Sequence, residues 1–155
     1  MIWWIKLTNL KERNRTMATI LEDYCDFETA KLLKEKGFNE SIRCWYDNFQ
    51  DFHEEGVRMC NTDCLPPTIM CPTLQMAMKW LREVHHIVIG INVGNENNKG
   101  NTDYSNPDRW WYFWEFTDTR GVYKEELQPD PLSNEYSTYE EAAEAAIKYC
   151  LENLI

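Results

Sequence analysis

Apolar residues along this chain recur at two spacings, every third or fourth position in some segments and every second in others, which separates helices from strands. Phe27, Ala30 and Leu33 share one side of a first helix, and Lys31, Lys34 and Glu35 point away. Asp26 stands where a carboxylate accepts a free N–H of the first turn, and Gly37 where a left-handed residue ends the helix with Phe38 folding back on it. A second helix follows Pro72-Thr73, with Leu74, Ala77, Met78, Leu81 and Val84 inward and Gln75, Lys79, Arg82 and His86 outward. A third runs from about Thr138 to Asn153, with Ser137 and Glu140 as a capping box. Its inner face is Tyr139, Ala143, Ala146, Ile147, Cys150 and Leu154, and Glu140, Glu144, Lys148 and Glu152 form a solvated stripe.

The two-residue period marks the strands. Ser41 to Asp47 alternates, with Ile42, Cys44 and Tyr46 on one side and Arg43, Trp45 and Asp47 on the other. Gly56 to Cys60 is its expected partner across a long loop, Asn48 to Glu55, and Asn61 to Pro72 reads as irregular because it holds three prolines. Ile87 to Val93 is apolar on both faces apart from Asn92 and reads as a central strand. After an Asn-rich loop from Gly94 to Arg109, Trp110 to Thr117 is the strongest β-former and pairs back on Ile87–Val93 as a long hairpin. Val122 to Leu127 adds a short edge strand protected by its own charges. The order α-β-β-α-β-β-(β)-α predicts an α+β fold, a two-layer sandwich with an antiparallel sheet of four to five strands and helices on one face.

Residues 1–16 have no sustained period and read as an extension outside a single domain of residues 17–155, with Met17 as the expected start. The net charge of −10 sharpens that division, because Lys6, Lys11, Arg13 and Arg15 face only Glu12 and the acidity lies beyond them. So acidic a body repels phosphate backbones, which disfavours direct nucleic-acid binding. No apolar run is long enough to cross a membrane, and the basic residues follow the Met1–Ile5 run rather than precede it, unlike a signal peptide. The six cysteines then read as free thiols of a cytoplasmic protein.

Candidate chemistry is sparse. His53, Cys60, Cys64 and Cys71 lie within nineteen residues, yet Cys-x3-Cys-x6-Cys lacks the paired knuckles of a zinc site, so free thiols are the favoured reading and zinc a weak alternative. His85-His86 could act as base or ligand, but adjacent histidines also suit a helix C-terminus. No nucleophile motif accompanies them, and no cofactor-binding motif is present. The aromatic residues are the stronger signal. On the Trp-rich strand Trp110, Tyr112, Trp114 and Phe116 share one face, and Trp111, Phe113 and Glu115 the other. If helices cover one face only, Trp111 joins Trp45 and Tyr123 in an exposed patch, and Trp45, Trp111, Trp114 and Tyr123 are the candidate binding residues.

Three segments, ETAKLLKEKGF (Glu28–Phe38), PTLQMAMKWLRE (Pro72–Glu83) and TYEEAAEAAIKYCLENLI (Thr138–Ile155), resemble a group of short uncharacterised proteins of gut bacteria and their phages or mobile elements. The resemblance spans residues 18–47, 72–93 and 110–155. It implies a bacterial or phage cytoplasmic setting and no particular activity. The reading that follows is a non-enzymatic protein–protein interaction module that docks on a protein partner or as a homodimer. The alternatives are an acidic nucleic-acid mimic that inhibits a host nuclease, and a small hydrolase using His85 or His86.

Overall fold

The protein has an α+β fold, and the computed structural model describes residues 22–95, 110–121, 128 and 134–155 of it. The extension at 1–16, the start at Met17 and the strand at 122–127 lie outside the described residues, as does Tyr123. The elements run α1 (Phe27–Glu35), β1 (Ile42–Tyr46), β2 (Phe52–Met59), β3 (Ile69–Met70), α2 (Leu74–Val84), β4 (Ile87–Asn95), β5 (Trp110–Asp118) and α3 (Tyr139–Asn153).

Each helix starts where a short polar side chain satisfies a first-turn N–H. The Asp26 carboxylate accepts from Thr29 N at 2.7 Å, Thr73 from Met76 N at 3.2 Å and Thr138 from Glu141 N at 3.1 Å. The third cap therefore falls on Thr138, one residue beyond Ser137, and Glu141 reaches back to the Ser137 N–H at 3.1 Å. The first helix ends as its sequence predicts. Gly37 sits at φ 94°, Phe38 N–H bonds Leu33 O at 2.8 Å and Gly37 N–H bonds Lys34 O at 3.1 Å, the two bonds of a Schellman stop.

Among the described residues two antiparallel sheets form in place of one. Three strands pair in the order β2-β1-β3, and β4 pairs with β5 alone among the described residues. The β1–β2 loop is also shorter than expected, because Asp47 accepts from the N–H groups of Phe49 and Asp51 at 2.8 and 3.0 Å and folds the chain sharply. That turn releases residues from Phe52 onward to extend β2. β3 lies inside the proline-rich stretch. The buried Asn61 holds it, accepting from Met70 N–H at 3.0 Å while donating to Phe38 O at 2.8 Å.

The core gathers where α1, α2 and the β4–β5 hairpin close on α3. Leu33, Phe38, Leu81, Ile87, Ile147 and Leu151 are buried, and Trp80 meets Phe38 edge-on at 5.6 Å. Ala142, Ala143 and Ala146 are fully buried, so α3 lies close to its neighbours along most of its girth. Leu151 and Ala142 take the inward places predicted for Tyr139 and Leu154, which are only half-buried.

Candidate functional site

The hairpin register assigns every backbone group of β4 and β5 to a side. Val88 faces Thr117, Ile89 faces Phe116, Ile91 faces Trp114 and Val93 faces Tyr112. In an antiparallel ladder directly opposed residues alternate between pairs that exchange hydrogen bonds and pairs whose N–H and C=O groups point outward. Tyr112 belongs to the second kind, since its N–H and C=O each bond Tyr136 at 2.9 Å on the far side of β5. Phe116 also turns outward, to the side-chain amide of Gln128, and the Trp114 carbonyl accepts from Asn134 Nδ2 at 2.8 Å. The outer edge of β5 is thus sealed by Tyr136, Asn134 and Gln128.

By the same register Ile89, Ile91 and Val93 direct their N–H and C=O groups away from β5, toward the other edge. No strand pairs with that edge among the described residues. Its sequence, IVIGINVGN, has no proline, no lysine and no other charge. Natural edge strands carry such residues to prevent pairing with another chain. Among the described residues this edge is long, apolar and without a covering strand, with Val93 50 % exposed near its end. Among the described residues Ile87–Val93, expected as a central strand, therefore has a neighbour on one side.

The two faces of the hairpin differ as their alternation predicts. Ile87, Ile89, Trp114 and Phe116 are buried against the helices, with α2 packed on β4 and α3 across both strands. The opposite face presents half-exposed Val88, Asn92, Trp111 and Phe113 and exposed Glu115. Asn92 Nδ2 donates to Glu115 Oε1 at 3.1 Å, so Glu115 is a surface acceptor. The Trp111 ring lies over Gly94, where a Cβ would fall 2.6 Å from it. A glycine facing an aromatic ring across the ladder lets the ring lie flat on the strand.

The three described aromatic candidates do not form one patch. Trp114 is 4 % exposed and packs its ring 5.1 Å from Tyr149 of α3, so it is a core residue and not a surface anchor. Trp45 stands in the other sheet, half-buried and stacked on His53 at 5.5 Å. Trp111 alone of the described candidates lies on the open face. The division into two sheets separates Trp45 from Trp111, and strand alternation puts Trp114 on the opposite face of β5 from Trp111.

The remaining candidates are also dispersed. His53 Nε2 bonds Asp47 Oδ2 at 2.9 Å, Cys64 Sγ contacts Met70 Sδ at 3.3 Å, and the buried Cys71 Sγ lies 3.2 Å from Cys25 O. Burial pushes the Cys71 thiol up to about 12, opposite to what a metal ligand or nucleophile needs. No group of three such residues converges on a metal position among the described residues. His85 caps α2 with its ring 4.5 Å from Trp80, and His86 sits at φ 62° with its carbonyl accepting from Thr119. Among the described residues neither ring hydrogen-bonds a carboxylate, and burial lowers the His85 pKa, with Arg120, His86 and Lys36 adding to it.

One grouping escaped the sequence reading. An open cleft of about 510 Å³ has Tyr24, Leu74 and Ala145 in its lining and Asp23, Glu140 and Glu144 around it. The helical period places Glu144 on a solvated stripe, but α1 approaches so closely that Asp26 N–H bonds its carboxylate at 3.2 Å. Burial raises its pKa. This carboxylate and Glu141 serve the fold, each accepting a main-chain N–H.

Compared with known proteins, the chain matches no family model, no curated protein and no solved structure. Among the described residues no helix is long and apolar enough to cross a membrane. The functional reading therefore rests on the geometry of the chain itself.

Proposed function

We propose that this protein is a non-enzymatic protein–protein interaction module, and that it docks by accepting an extended strand of its partner along the open edge of β4. The observation that carries the reading is the asymmetry of the hairpin among the described residues, one edge sealed by Tyr136, Asn134 and Gln128 and the other unpaired and without charge of its own. Strand addition draws affinity from main-chain hydrogen bonds and specificity from alternate side chains. Here the alternate side chains beside the edge are Ile91 and Val93 on one face and Asn92 on the other. The acidic body sets which partners approach, rather than holding them. The phage or mobile-element setting implied by the resemblance fits a small adaptor of this kind.

Val93→Pro tests the reading. It removes an N–H that points outward, so the bonds between β4 and β5 survive. Protein partners recovered from the native cell with the parent chain should be lost with Val93→Pro while circular dichroism remains that of the folded protein. Equal recovery by both folded proteins refutes docking at β4.

A further inference from the structure

We infer that the strand accepted by β4 is β4 of a second copy, giving a symmetric dimer with a continuous sheet β5-β4-β4′-β5′; this deepens the docking reading above and rests on it. The outward residues are spaced evenly about Ile91, so a two-fold axis through Ile91 sets Ile91 against Ile91 of the second copy and Ile89 against its Val93. Each such pair exchanges an N–H···O=C bond in both directions, and no outward group between Ile89 and Val93 is left over. An isologous contact needs a surface complementary to itself, and this edge meets that condition by its register.

The edge strand itself brings no charge to the contact, although the whole chain is acidic. β4 carries no ionisable residue. Two helices pack on β4: α2 contributes Lys79, Arg82 and Glu83, and α3, which also packs on β5, carries Glu140, Glu141, Glu144, Lys148 and Glu152. Glu83 is already within 3.9 Å of Lys79 and 3.8 Å of Arg82, so two facing copies of α2 present mixed charge rather than a shared excess of acid. Apolar surface stands ready at both ends of the strand, with Val84 53 % exposed just before β4 and Val93 50 % exposed near its end. Antiparallel pairing brings Val93 of each copy toward the start of the other's strand, where Val84 lies.

Sedimentation equilibrium of the full chain over a range of concentrations, with a parallel titration by a nine-residue peptide of the β4 sequence, tests this. Twice the chain mass at high concentration, and the single-chain mass for folded Val93→Pro, supports the dimer. Thr117→Lys, on the exposed outer face of β5, should remain dimeric and guards against a general effect of substitution. A parent chain that stays monomeric while the peptide slows exchange of the Ile91 and Val93 amides overturns the second copy and leaves strand addition standing. A monomer that ignores the peptide overturns both, and a dimer that persists in Val93→Pro assigns the contact to another surface and overturns the proposal.

Discussion

Glu144 and His85 shape the pH dependence of folding from opposite directions. Burial raises the Glu144 pKa above its ordinary 4.5, so its contribution is fully present below that value and lost as pH rises through the folded pKa. Burial lowers the His85 pKa below 6.5, and its Nε2 is buried without a partner. That contribution is present above 6.5 and lost as pH falls through the folded value. Thermal melts from pH 4 to 8 should therefore show Glu144→Gln flattening the decline on the alkaline side and His85→Phe flattening the one on the acid side. Both substitutions leaving the profile unchanged would show that neither group is perturbed. Residues also differ sharply in weight. Leu81→Ala should cost about 2–5 kcal/mol in denaturant unfolding, because Leu81 is fully enclosed. Phe49→Ala should change stability by no more than about 0.5 kcal/mol, because Phe49 is 77 % exposed. The sequence distinguishes such extremes poorly. Trp114 and Trp111 are both tryptophans on one strand, and only the covering helix makes the first a core residue and leaves the second on the open face.

Helices are the elements most legible in the sequence, because their signals are local. Asp26, Gly37 and Thr73 sit at the ends they predict, and the error at the third helix is one residue, Thr138 in place of Ser137. The β4–β5 hairpin was legible for the same reason, since alternation alone sets which side chains face inward. What escaped the sequence depends on contacts between distant segments. β3 exists because Asn61 bonds both Phe38 and Met70, and the cleft at Glu144 exists because α1 meets α3. Whether β4 lies at the centre or the edge of a sheet is not encoded in its own residues, since an apolar run suits either place. Gly94→Ala probes the element directly. Its new Cβ meets the Trp111 ring at 2.6 Å, so the ring must move. A loss of about 1–3 kcal/mol together with a shifted tryptophan emission is expected. An unchanged spectrum and unchanged stability would mean that the ring does not rest on that glycine.

At the scale of the molecule, the described part of an acidic α+β body presents a long uncharged strand edge at β4, and the proposed docking depends on that edge being open in the isolated chain. Nothing in the core requires it, since α2 and α3 already bury the inner face of the hairpin. Hydrogen exchange of the β4 amides in a dilute, monomeric sample measures it most directly. The Val88, Gly90, Asn92 and Gly94 amides bond β5 and should exchange slowly, while those of Ile91 and Val93 should exchange quickly. Uniformly slow exchange along β4 under those conditions would show the edge already covered within the chain, and would contradict the account.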